Sequence, residues 1–155
     1  MSRLMRTPPV ARRAEVPPLV RALGWSGVLP FILLAAVARG AAPAWAEPAR
    51  QVLLLYSLAI FCFLCGAWWG IGLMHQRRAP VLLSNLWLLF AVFACAFLPE
   101  RAALVALAFC LVGLWMLEGR MAVFSRQPIY YRHMRGWLSA VAAAALLVSA
   151  IRQFA

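Results

Sequence analysis

Five long apolar runs, separated by short arginine-bearing gaps, limit what this chain can fold into. The runs are Ala22–Ala38, Val52–Met74, Val81–Leu98, Ala102–Leu117 and Trp137–Ile151. A helix needs roughly 20 apolar residues, each rising about 1.5 Å, to cross a bilayer. The second run has that length unaided. The fourth and fifth need flanking groups, Glu118–Phe124 for one and Met134–Gly136 with Arg152–Phe154 for the other. A soluble core of 155 residues cannot hide a composition that is 66% hydrophobic, so lipid is the solvent that fits. The expected fold is an all-α membrane protein, a bundle of about five transmembrane helices within residues 19–155. Residues 1–18 carry four arginines and four prolines, and proline denies helix hydrogen bonds, so they read as a disordered basic tail.

The charge is one-sided: all 15 Lys+Arg positions are arginine, there is no Asp, and the acids are Glu15, Glu47, Glu100 and Glu118. A net charge of +11 raises the question of nucleic acid. The arginines occupy the gaps and form no continuous face, so nucleic acid is not expected as a partner. Eleven arginines fall in the tail, the second loop (Arg77, Arg78) and the fourth loop (Arg120, Arg126, Arg132, Arg135); Arg39, Arg50, Arg101 and Arg152 fall on the other side. The positive-inside rule then predicts a cytoplasmic N-terminus and a periplasmic C-terminus. Arginine in place of lysine, with abundant alanine, points to a GC-rich bacterial genome and so to the inner membrane. A competing reading takes the first run as a secretory signal cleaved after Ala44-Trp45-Ala46. Gly24, Gly27, Pro30 and Arg39 interrupt that pattern. No internal repeat supports an inverted-repeat transporter.

Several groups have chemical potential. Pro30 removes the N–H that would bond the Ser26 carbonyl, which leaves either an ion- or substrate-binding oxygen or a tolerated kink. Gly66 and Gly70 form a GxxxG pair, expected to admit a neighbouring helix or, alternatively, a second copy; Gly24 and Gly27 are further packing candidates. Cys62 and Cys65 have the spacing of thiol oxidoreductases. They sit about 15 Å from the outer helix end, near mid-bilayer, where cysteine acts as a small hydrophobe. Cys95 and Cys110 are also intramembrane, so thiol redox chemistry is a minor alternative. His75 and His133 lack helical partners at metal-ligand spacing, and no metal or cofactor is expected. Asn85, beside Ser84, is expected to bond a neighbouring helix.

Glu118 follows Leu117 with no polar buffer. An ionisable group at that depth is a functional hypothesis whose partner should be named. Arg120, two residues on, points elsewhere on a helix, so Arg132 and Arg135 are the expected partners. The fourth loop, Gln127–Trp137, mixes Tyr130, Tyr131 and arginines at headgroup level, where anionic lipid is attracted. Ser26, Pro30, Trp69, Asn85, Glu118, Tyr131, Arg132 and Arg135 all map to the cytoplasmic half and form the candidate polar site.

Four segments in this order also resemble a family. Leu23-Gly24-Trp25-Ser26-Gly27-Val28-Leu29-Pro30-Phe31 is similar to an LGxxGxxPF opening. Gly66-Ala67-Trp68-Trp69-Gly70 resembles a glycine–tryptophan stretch, Pro80 through Trp87 a proline-to-tryptophan segment, and Gln127 to Leu138 the pattern P-x-W-Y-x-x-L-R-x-x-L. The family is domain of unknown function 3429, which includes eukaryotic transmembrane protein 69. Tyr130 replaces the usual Trp, Met134 a Leu, and Glu118 an expected Asp. The resemblance implies a multi-helix membrane protein, supplies no reaction, and counts against cleavage of the first helix.

No nucleophile–base or metal constellation is visible. The expected role is therefore non-enzymatic: a scaffold, assembly factor or lipid-contacting accessory protein, with membrane lipid and a membrane protein as partners. The alternative is a small transporter or channel with a cytoplasm-facing cavity near Ser26, Asn85 and Glu118.

Overall fold

The computed structural model describes residues 17–151 except 41 and 126. The tail over 1–16, together with Arg126 and Arg152, lies outside the described residues. Six α-helices follow in order: α1 (Pro18–Ser26), α2 (Leu29–Gly40), α3 (Pro43–Met74), α4 (Arg78–Phe97), α5 (Glu100–Arg120) and α6 (Ile129–Ala150), with a short 3₁₀ turn at Ala122–Phe124 between the last two. α1 and α2 make one interrupted span, so five helical segments among the described residues are long and apolar enough to cross a membrane.

Proline marks the helix starts. Pro18 opens α1, so the helix begins inside the stretch read as tail; Pro43 opens α3, Pro99 and Pro128 are the N-caps of α5 and α6, and Pro80 lies in the first turn of α4. At these positions the missing N–H is one the helix would leave unbonded anyway. Pro30, second in α2, does the same. The chain breaks at Gly27 and Val28; Pro30 has no N–H for the Ser26 carbonyl, and the next carbonyl along, that of Gly27, has a partner on α3. It accepts a hydrogen bond from the Tyr56 hydroxyl at 2.8 Å. The break thereby fixes α1–α2 onto α3, and the Phe31 and Tyr56 rings meet edge to face at 5.1 Å.

α3 has 32 residues, about 48 Å at ~1.5 Å each, more than a hydrocarbon core of about 30 Å. Its first turns, with Glu47 and Arg50, extend the second apolar run beyond its sequence-read start. They also contain Ala44-Trp45-Ala46.

In space α2, α3, α4, α5 and α6 pack in a closed ring, with α3 also touching α5. α5 is the most enclosed. Leu104, Leu107, Leu111, Leu114 and Glu118 repeat at three- and four-residue steps and are all buried. Large apolar groups such as Phe63, Phe93 and Phe109 face outward, as they must where lipid replaces water. Helix association in lipid depends on close packing, because burial from water drives nothing there. Gly72 shows such packing: a Cβ there would sit 2.7 Å from Val81 Cγ2 and 3.2 Å from Pro80 Cβ. The α3–α4 turn closes beside it, with Gln76 in the left-handed region at φ 51°. The GxxxG pair is different. A Cβ on Gly66 or Gly70 would meet nothing within 4 Å, so among the described residues no helix packs closely on that pair.

Candidate functional site at the polar end of the bundle

The packing stripes of α5 and α6 each end in a charge. On α5 the run Leu107, Leu111, Leu114 continues to Glu118; on α6 the run Leu146, Ala142, Ser139 continues back to Arg135. Helical periodicity therefore turns both charges inward at the same end, and they meet there. Glu118 is 8% exposed and Arg135 7%.

The contact between them is long. Arg135 Nε lies 3.8 Å from Glu118 Oε2, beyond ordinary hydrogen-bond length. Arg135 Nη1 donates to Ser139 Oγ at 2.9 Å, and Gln127 Nε2 donates to Glu118 Oε1 at 3.3 Å. Glu118 Oε2 and Arg135 Nη2 are buried without a hydrogen-bond partner. Buried charges repay their desolvation only when geometry and hydrogen bonds are good, so this pair is under-satisfied.

Tightly packed aromatic groups surround it. Trp68 packs on Phe124 with centroids 4.8 Å apart. Gly136 makes room for Trp115, since a Cβ there would fall 3.0 Å from the indole ring. The indole nitrogens of Trp68 and Trp115 are also buried without partners. Arg132 crosses over Gly119, where a Cβ would lie 2.8 Å from its Nη2. A cavity of about 170 Å³ opens between the end of α5 and the start of α6, lined by Glu118, Arg120, Ser125, Gln127, Arg132 and Arg135 among others. Three cations there face one carboxylate.

Of the two expected partners for Glu118, Arg135 takes the position, while Arg132 lines the cavity from an exposed site. Arg120, read as pointing away, lines the same cavity because α5 ends at that residue. Tyr131 is half-buried and borders a neighbouring apolar groove that Arg135 also lines. The remaining candidates are not drawn in. Asn85 is exposed, and its side-chain hydrogen bond among the described residues stays within its own helix, donated to the Val81 carbonyl at 2.8 Å. Ser26 donates to the Leu23 carbonyl at 3.0 Å and is exposed. Pro30 is half-buried at the α1–α2 break, and Trp69 is exposed although its neighbour Trp68 is buried. Gly24, in contrast, lies against α6: a Cβ there would be 3.1 Å from Met134 Sδ. Gln127 and Ser139 were missed as site residues. The three- and four-residue spacing that carries Arg135 inward also identifies Ser139.

Cys62, Cys65, Cys95 and Cys110 are all free thiols. His75 Nδ1 meets the Ile71 carbonyl at 3.0 Å, and among the described residues no three potential ligands converge on a metal position.

The far end also has an ion pair, which the sequence reading passed over. Arg50 Nε and Glu100 Oε1 lie 2.7 Å apart at roughly one-quarter exposure, at the start of α5. Nearby, Arg39 Nη1 reaches the Val148 and Ile151 carbonyls at 3.4 Å, at the C-terminus of α6.

No curated protein and no solved structure matches the chain. The family model described as protein of unknown function DUF3429 matches residues 16–151, and this multi-pass helical membrane protein belongs to that family.

Proposed function

We propose that the protein is a non-enzymatic, lipid-contacting accessory protein of the bacterial inner membrane, N-terminus inside, that holds an anionic lipid headgroup at the inner surface. The supporting observation is the cavity where Arg120, Arg132 and Arg135 face the single carboxylate of Glu118. Arginine presents a planar fork of donors suited to phosphate. The same end carries the arginine excess that orients the chain. Ser125 and Gln127 add neutral polar groups, so a phosphate entering the cavity exchanges water for hydrogen bonds and a positive field.

The test is native mass spectrometry of the full chain released from detergent with phosphatidylglycerol present. Wild type is expected to retain the lipid, and R120A/R132A to retain at least about fivefold less. Equal retention by both overturns the reading. Both arginines are exposed, so the double variant is expected to fold. A second reading, a small transporter with a cytoplasm-facing cavity, draws on the buried, partly unpartnered carboxylate of Glu118. It requires solute flux in proteoliposomes that Glu118→Gln abolishes. The orientation is checked by alkaline phosphatase fused after Ala155, which should be active.

A further inference from the structure

A second cavity, of about 420 Å³, opens between α1–α2, α3 and α6, within the usual size range of small-molecule sites. Its wall is almost entirely apolar, with Leu23, Phe31, Ile60, Phe63 and Leu138 among the lining groups. Along α6 it runs from Tyr131 to Ala142, about 16 Å at ~1.5 Å per residue. Such a trough suits a hydrocarbon chain. Gly24, Gly27 and Val28, at and beside the break in the first span, line it, and the Tyr56 hydroxyl bonds the Gly27 carbonyl there.

The polar groups of the trough lie on its α6 side. Tyr131, Arg135 and Ser139 line it, and Arg135 is the only charged residue among the lining groups described. The Arg135 guanidinium is more than nine-tenths buried, and its Nη2 has no acceptor. Ser139 Oγ already accepts from Arg135 Nη1, so its hydroxyl hydrogen remains to be given, and Tyr131 brings another. The α6 side of the trough therefore brings hydrogen-bonding groups with donors to spare beside an apolar wall. The charge of Arg135 is already opposed by Glu118 behind it, whereas Arg120 and Arg132 line the other cavity and not this one. An acceptor oxygen without a full negative charge completes the set, because an added anion would face Glu118 with only one cation between them.

We infer that this groove binds an uncharged lipid, its hydrocarbon chain along α6 and a carbonyl or ester oxygen of its head accepting from Arg135. The inference does not rest on the phosphate reading: the two cavities share Arg135 but differ in every other charged group. The proposed occupant is of the diacylglycerol type, an apolar chain with ester acceptors and no phosphate.

The experiment uses the full chain in nanodiscs containing a trace of diacylglycerol with a photoactivatable diazirine in its acyl chain, with cross-linked residues mapped by mass spectrometry. Labelling at Met134 and Leu138, half-buried groups that line the groove, is expected to exceed that at Phe93 and Leu89, which are exposed on α4, by about tenfold. Excess unlabelled diacylglycerol should suppress it and an equal amount of hexadecane should not, since only the former has the head. Ile60→Trp, which fills the trough, should reduce Leu138 labelling to the Phe93 level. Uniform labelling of the groove and α4 in wild type overturns the inference without any variant. So does suppression by hexadecane, or groove labelling by a phosphatidylglycerol probe as strong as that by diacylglycerol. Loss of phosphatidylglycerol retention in R120A/R132A with groove labelling intact would separate the two sites.

Discussion

The two ends of the bundle each carry an Arg–Glu pair, and the pairs are built in opposite ways. Arg50 and Glu100 approach to 2.7 Å while keeping about a quarter of their side-chain surface exposed. Arg135 and Glu118 are more than nine-tenths enclosed, 3.8 Å apart, and each leaves one polar atom unbonded. A short, partly exposed pair joining α3 to α5 is a clip whose groups are already satisfied. A loose, buried pair at the junction of two cavities leaves polar capacity unspent. The difference identifies the α5–α6 end as the place where a ligand gains most, because a ligand there supplies what the fold withholds.

Breaking the buried pair is the most severe test of that contrast. Arg135→Met leaves Glu118 enclosed with no cation, and should cost about 3–5 kcal/mol, read as reversible unfolding in mixed detergent and SDS. The double change E118Q/R135M should recover most of the loss, since removing both charges removes the uncompensated one. If Arg135→Met alone cost no more than the double change, the two groups would not be coupled and the contrast between the ends would fall.

The aromatic packing around the pair comes next in size. Gly136→Leu pushes a side chain into the Trp115 indole, 3.0 Å from where its Cβ would stand. Overpacking of this kind should cost about 1–3 kcal/mol. It should also weaken phosphatidylglycerol retention, because Trp115 lines the arginine cavity. An unchanged stability in Gly136→Leu would show that α6 slides freely past α5.

How legible this end is in sequence depends on which force positions each residue. Glu118 and Arg135 were readable because a charge in an apolar run is conspicuous, and few partners were within reach. The choice of Arg135 over Arg132 depended on register: Arg135 continues the buried α6 stripe through Ser139 and Ala142, and Arg132 lies one turn earlier at the exposed helix start. The five spans were readable from length and hydropathy, which the bilayer enforces directly. What was not readable was which apolar face meets protein and which meets lipid, since both demand the same residue types. Hence Gly66 and Gly70 looked like a packing surface and face outward, while Gly72, outside any motif, carries the close contact with α4. The Arg50–Glu100 pair joins residues fifty positions apart, and nothing local announces it.

At the clip, the expected effects are small. Glu100→Gln should cost less than about 1 kcal/mol and lose its effect at high salt, since exposed pairs are screened. It should leave both lipid-binding readouts unchanged. A loss comparable to that of Arg135→Met would mean that the far end is as tightly coupled as the near one, and that enclosure is not what distinguishes them.

The smallest effect is expected at Gly66, and there the sign matters more than the size. A Cβ at this exposed position meets nothing within 4 Å among the described residues, and glycine is a poor helix former, so Gly66→Leu should cause no loss and up to about 1 kcal/mol of gain. Elsewhere around the same helix stretch, Cys65 and Trp68 are buried. A side chain added there would have to displace protein, whereas at Gly66 it displaces only lipid. A destabilisation of more than about 1 kcal/mol would therefore require a covering helix that the chain does not itself supply, such as a second copy seated on the GxxxG face. Crowding at the polar end would then extend around α3 into an interface between copies. The contrast between a loaded end and a clipped end would become a property of the assembly, because the same end would carry both the α5–α6 site and the contact between protomers.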